Sequence, residues 1–177
     1  MILYPYDPEW KRWFSDLKNV LESNITIKEI IIHHVGSTSI TGMTAKPIID
    51  IDIEIPDYSF LEAIESDLNR IGYINNGDQG IKDRLAFKRI DDEVPYSLPR
   101  RKWITHHLYI CPSFSEELKK HLIFRDSLET YDSYKEEYAR IKREIEIESN
   151  DDRKIYATIK ETRAKSFVES VISRGRR

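Results

Sequence analysis

A chain of 177 residues, 40% hydrophobic and 33% charged, is long enough to enclose one substantial core, and six glycines and seven prolines are too few for long disordered tracts. A formal charge of −3 leaves no basic excess for neutralising a run of phosphates, which argues against bulk nucleic-acid binding. Cys111 is the one cysteine, so no internal disulfide or thiolate zinc cluster can form; with no apolar run of about 18 residues either, the expectation is a single-domain cytoplasmic protein with no membrane partner.

Asp7-Pro8-Glu9-Trp10 reads as a helix start, because Asp accepts from first-turn amides and Pro is tolerated where its missing N–H is not needed; the helix should run to about Ser23. Residues 25–35 are rich in isoleucine without a helical stripe, which predicts a buried strand ending at the Gly36 turn. A small-residue loop with Gly42 and Pro47 leads to residues 49–55, where isoleucines alternate with Asp50, Asp52 and Glu54 until Pro56 closes the strand. Ser59-Phe60-Leu61-Glu62 has capping-box spacing for a helix that stops before Gly72, and Tyr73 starts another strand. Residues 85–90 and 103–111 are further strands, separated by a polar, proline-containing segment where a mobile loop would sit. Ser113-Phe114-Ser115-Glu116 offers a cap, and breaks near 128–132 and 150–152 divide the rest into three helices. The order predicts an α/β (α+β) domain: a mixed sheet with flanking helices and a C-terminal helical addition.

Residues two apart on a strand share a face at roughly 6.5 to 7 Å, so Asp50 and Asp52 can reach one site. Two converging carboxylates repel unless a cation lies between them, and hard oxygen ligands suit Mg²⁺ or Mn²⁺; alternatively they form the solvated side of a half-exposed strand. Just upstream, Gly36-Ser37-Thr38 offers backbone N–H groups and hydroxyls suited to phosphate oxygens, although glycine and serine also make plain turns. Together the two features form a more specific constellation than either alone. Lys46 is suited to neutralising phosphate charge, or to an ordinary solvated position, and Arg84 is a weaker phosphate contact. His121 and Arg125 share a helix face and either line a pocket or lock helices together, the second reading being preferred; Lys160 and Lys165 fit either a pocket or a surface.

The sequence resembles the GrpB family, assigned to the nucleotidyltransferase superfamily. The resemblance is carried by Tyr6-Asp7-Pro8-Glu9-Trp10, by residues 34–43 and 45–51, by His106-His107-Leu108 and by residues 121–126, with Thr41 standing where the family usually has proline. It implies a nucleotidyltransferase fold in which Gly36 and Ser37 contact a triphosphate while Asp50 and Asp52 coordinate magnesium. The partners so implied are a nucleotide triphosphate and an unknown small-molecule acceptor. A third metal ligand normally comes from a later strand, where this chain offers His106 or His107 on opposite faces; Glu54 competes, and a histidine ligand would favour manganese or zinc over magnesium. An incomplete ligand set would instead make the domain a nucleotide- or anion-binding module. Domains resembling this one occur fused to dephospho-coenzyme A kinase, an association with coenzyme A metabolism.

Overall fold

The computed structural model describes residues 1–176. Helix α1 (Glu9–Asn24) precedes β1 (Ile31–Val35) and β2 (Ile49–Ile55); α2 (Leu61–Arg70), β3 (Tyr73–Asn75), β4 (Leu85–Arg89) and β5 (His106–Pro112) follow, and helices α3 (Glu116–Thr130), α4 (Asp132–Glu148), α5 (Arg153–Arg163) and α6 (Lys165–Gly175) complete the chain. The five strands form one mixed sheet in the order β1-β2-β5-β4-β3, with β2 and β5 parallel and the other pairings antiparallel. The fold class is therefore α+β.

Strand alternation organises everything around β2. Ile49, Ile51, Ile53 and Ile55 enter a core completed by Trp10, Leu17 and Leu21 of α1 and Ile64 and Leu68 of α2. Asp50, Asp52 and Glu54 take the opposite face, and His121 of α3 reaches Asp52 there. A second core joins Leu3, Ile40 and Met43 to Tyr138, Ile141 and Ile145 of α4, with Tyr156 and Val171 from α5 and α6. The loop before β2 is thus packed on the late helices. Among the described residues no helix is long and apolar enough to cross a membrane.

Several boundaries differ from the sequence reading. The first strand covers only residues 31–35, because the chain after α1 is stitched to α2: the Thr26 amide and hydroxyl both donate to Asp67, at 2.7 and 2.8 Å. The predicted capping box does not form; the Asp57 carboxylate accepts from the Ser59 amide at a short 3₁₀ turn and α2 starts later, at Leu61. The last strand begins at His106 rather than residue 103, since Trp103 is tied to the preceding loop by bonds to the Asp92 and Pro95 carbonyls. That loop packs buried Val94 into the first core. Four helices, not three, follow the sheet: the extra break falls at Ala164, where neither glycine nor proline signals it. Ser115 and Asp152 cap α3 and α5 with their side chains.

Truncating Ile51 to alanine should cost about 2 to 5 kcal/mol in urea unfolding, because it is fully buried on the central strand. The same change at exposed Ile31 should stay within about 0.5 kcal/mol.

Candidate functional site

Each carboxylate on β2 has an imidazole partner. His107 Nδ1 lies 2.8 Å from Asp50 Oδ1, His121 Nδ1 lies 2.7 Å from Asp52 Oδ2, and His33 Nε2 lies 2.7 Å from Glu54 Oε2. An ionised carboxylate only accepts, so each ring nitrogen carries the hydrogen and donates. Asp52 is 0% exposed, and its Oδ1 is buried with no hydrogen-bond partner. Burial works against a charged His121, but its bonds to Asp52 and, through Nε2 at 3.4 Å, to Glu117 prevail and raise its pKa to about 9. The His121 hydrogen bond in turn outweighs burial at Glu117 and lowers that carboxyl to about 2.

The turn before β2 lies against this row. Gly36 has φ +72, and a Cβ there would collide with the Asp50 carboxylate, so only glycine lets backbone and carboxylate approach so closely. Thr38 donates to the Ile48 carbonyl at 3.0 Å and accepts from His34 Nε2 at 3.1 Å; burial lowers His34 to about 4 and keeps it neutral. Thr38 is thereby committed to holding the loop. Ser37 accepts from Lys142 Nζ at 3.2 Å, and Lys142 also donates to the Thr44 carbonyl. Lys142 is 1% exposed, and burial first, then Lys160, holds its pKa well below the usual lysine value.

These groups open onto a cleft of about 1130 Å³ between the sheet and helices α3 to α6. Gly36, Ser37, Thr38, Lys46, Asp50 and His107 all line it, which brings together most residues singled out in the sequence. Asp52 lies behind the surface and communicates through His121, which does line it. Lys46 sits over the Tyr156 ring, 4.2 Å from its centroid, and Lys160 lines the same wall. Arg84 stays outside, over the ring of Tyr109 at 4.4 Å, with a buried Nε lacking a partner.

The competing third ligands are dispersed. His106 faces away, bonded to the Tyr73 hydroxyl at 2.6 Å and lowered by burial to about 3, and Glu54 is taken by His33. Among the described residues, no group of three His, Cys, Asp or Glu is arranged to hold a metal ion. His121 and Arg125 were expected to lock helices; they reach the sheet instead, Arg125 donating to the His34 carbonyl at 3.2 Å. Thr41 ties its loop to α3 through the Glu129 carboxylate, with amide and hydroxyl bonds of 3.0 and 2.9 Å that proline could not make. Lys142 was not picked out from the sequence, although a signal exists: it falls on the helical stripe Tyr138, Ile141, Ile145 that is otherwise buried and apolar.

The molecule is an α+β protein with a row of carboxylate–histidine pairs beside a lysine-rich cleft. The family described as GrpB protein matches residues 1–174, and the chain belongs to that family. Glutamate-rich protein GrpB of Alkalihalophilus pseudofirmus is 27% identical over 174 residues, covering 98% of this chain and 94% of the relative. UPF0157 protein YqkA of Bacillus subtilis is 31% identical over 140 residues, 79% of this chain but only 38% of that protein's length. The crystal structure of conserved protein GrpB from Enterococcus faecalis shares the fold at TM-score 0.77 and 23% identity, covering 98% of both chains.

In chelator-treated protein, NMR titration of His121 should give a pKa of about 9 that falls in Asp52→Asn, where Glu117 is left to oppose burial without the Asp52 charge. A pKa raised on folding stabilises fully below 6.5 and is lost as pH rises through about 9. The free energy of unfolding should therefore decline over that interval, by roughly 3 kcal/mol in all.

Proposed function

We propose that this chain is a nucleotidyltransferase that moves a nucleoside monophosphate from a nucleotide triphosphate to a small-molecule acceptor, using Mg²⁺ or Mn²⁺ held at Asp50 and Asp52. The observation that carries the reading is charge placement within one cleft. Lys46, Lys142 and Lys160 line it without an ion-pair partner among the described residues, opposite Asp50 and close to the Ser37 turn. Buried Lys142, bonded only to a hydroxyl and a carbonyl, has no counter-charge among the described residues, and a phosphate would supply one and favour its protonated form. The orphan Asp52 Oδ1 and the adjacent Asp50 carboxylate are the oxygen donors that suit a hard divalent cation.

In this reading the Ser37 turn and Lys142 hold the β- and γ-phosphates, and Lys46 and Lys160 neutralise them. The acceptor oxygen bonds to the α-phosphorus, the bond from that phosphorus to the β-bridging oxygen breaks, pyrophosphate leaves with the electron pair and the hydroxyl proton passes to water. A bound divalent cation would polarise the α-phosphate and stabilise charge on the leaving group. His107 orients Asp50, and His121 orients buried Asp52.

A second reading, a non-catalytic nucleotide- or anion-binding module linked to coenzyme A metabolism, draws support from the same histidines, which already satisfy one oxygen of each aspartate. Calorimetry with each nucleotide triphosphate, with dephospho-coenzyme A and with either metal, beside a pyrophosphate-release assay using a small-molecule extract, separates them. Turnover that falls about a hundredfold or more in Asp50→Asn is the expected result. Binding without turnover favours the module, and absence of both sinks either reading. Lys142→Met should weaken nucleotide binding about tenfold or more.

A further inference from the structure

A second hollow, of about 380 Å³, opens on the same sheet face, and His107 is the residue that lines both it and the cleft. Its floor follows from strand register. Tyr109 pairs with Asp52 on one side and with Ala86 on the other, and paired residues share a face. Ala86 therefore lies on the carboxylate face, and Lys88, two residues further along β4, shares that face. A methyl group at position 86, with Tyr109, His107 and Lys88 around it, leaves space that a larger side chain would fill.

Most charged groups around this hollow already have partners. Asp92 pairs with Lys102 at 2.9 Å, Asp91 accepts from the Glu93 amide and the Tyr96 hydroxyl, each at 2.8 Å, and Arg89 donates to the Ile104 carbonyl at 3.4 Å. Lys88 is exposed and makes no ion pair among the described residues. The volume lies at the low end of the range for small-molecule sites, roughly 300 to 1,000 Å³, and suits a metabolite rather than a polynucleotide end.

We propose that this hollow seats the acceptor: a small hydroxylated compound carrying one anionic group, with the anion on Lys88 and the hydroxyl at His107, where hollow and cleft meet. The assignment rests on the transferase reading and names the acceptor's chemical class. Amide NMR spectra of the intact chain and of Lys88→Ala, titrated with D-glycerate, glycerol 3-phosphate and glycerol, test it.

At least one of the two anions should shift the amides of Ala86, Lys88, His107 and Tyr109, glycerol should not, and Lys88→Ala should weaken the effect about tenfold. The carboxylate and phosphate arms identify which anion is preferred. Shifts centred on Ser37 and Lys142, equal affinity in Lys88→Ala, or no shift with either anion would overturn the seat. Calorimetry with each nucleotide triphosphate and with either metal on the unmodified chain keeps the two claims apart. Nucleotide binding without an anion response at Lys88 removes the acceptor seat alone, whereas an anion response without nucleotide binding removes the transferase reading and the acceptor role with it.

Discussion

The contact on which the site depends is the buried pair between Asp52 and His121. A carboxylate enclosed between a sheet and a helix loses its hydration, and truncating its one charged partner among the described residues would strand that charge at a cost of about 3 to 5 kcal/mol. The pair therefore does two jobs. It anchors α3 across the carboxylate face of β2, and it fixes the orientation of the Asp52 carboxylate directly behind the cleft. The parallel register of β2 with β5 repeats the arrangement one step along, setting His107 beside Asp50.

Around this pair the chain builds walls of opposite character. The floor comes from β2 and β5 and is acidic, tempered by histidines. The far wall comes from α4 and α5 and carries lysines resting on tyrosine rings: Lys142 lies 4.9 Å from the Tyr138 ring centroid, and Lys46 reaches Tyr156 from the loop. Aromatic faces stabilise cations without supplying a formal counter-charge, and neither Lys46 nor Lys142 has an ion-pair partner among the described residues.

How much of this was readable in advance differs by element. The alternation in β2 is unmistakable because a period of two over seven residues admits one arrangement, and it correctly assigned isoleucines to one side and carboxylates to the other. The helix start within Ser113–Glu116 and the break near 150–152 were legible because capping and breaking are local chemistry; that Asp152 caps the next helix is seen in the structure. The break at Ala164 was not, since the backbone there stays helical and its amide still bonds to Lys160. Residues 25–30 look like strand by composition, but Asp67 of α2 takes the Thr26 amide. Lys142 and the use of His121 are tertiary facts: a lysine on an apolar stripe shows that something unusual is buried, not what it faces.

The two hydrophobic cores divide the cleft between them. Ile40 and Met43, which follow the Ser37 turn, pack with the late helices, while the aspartates are rooted in the sheet through the isoleucines of β2. Thr38 bonded to Ile48, Arg125 to His34 and His121 to Asp52 are the polar tethers between those halves. The gap between the Ser37 turn and the carboxylates is thus governed by packing remote from either, so repacking around Tyr138 or Ile141 changes the width of the cleft while every polar group in it keeps its chemical identity.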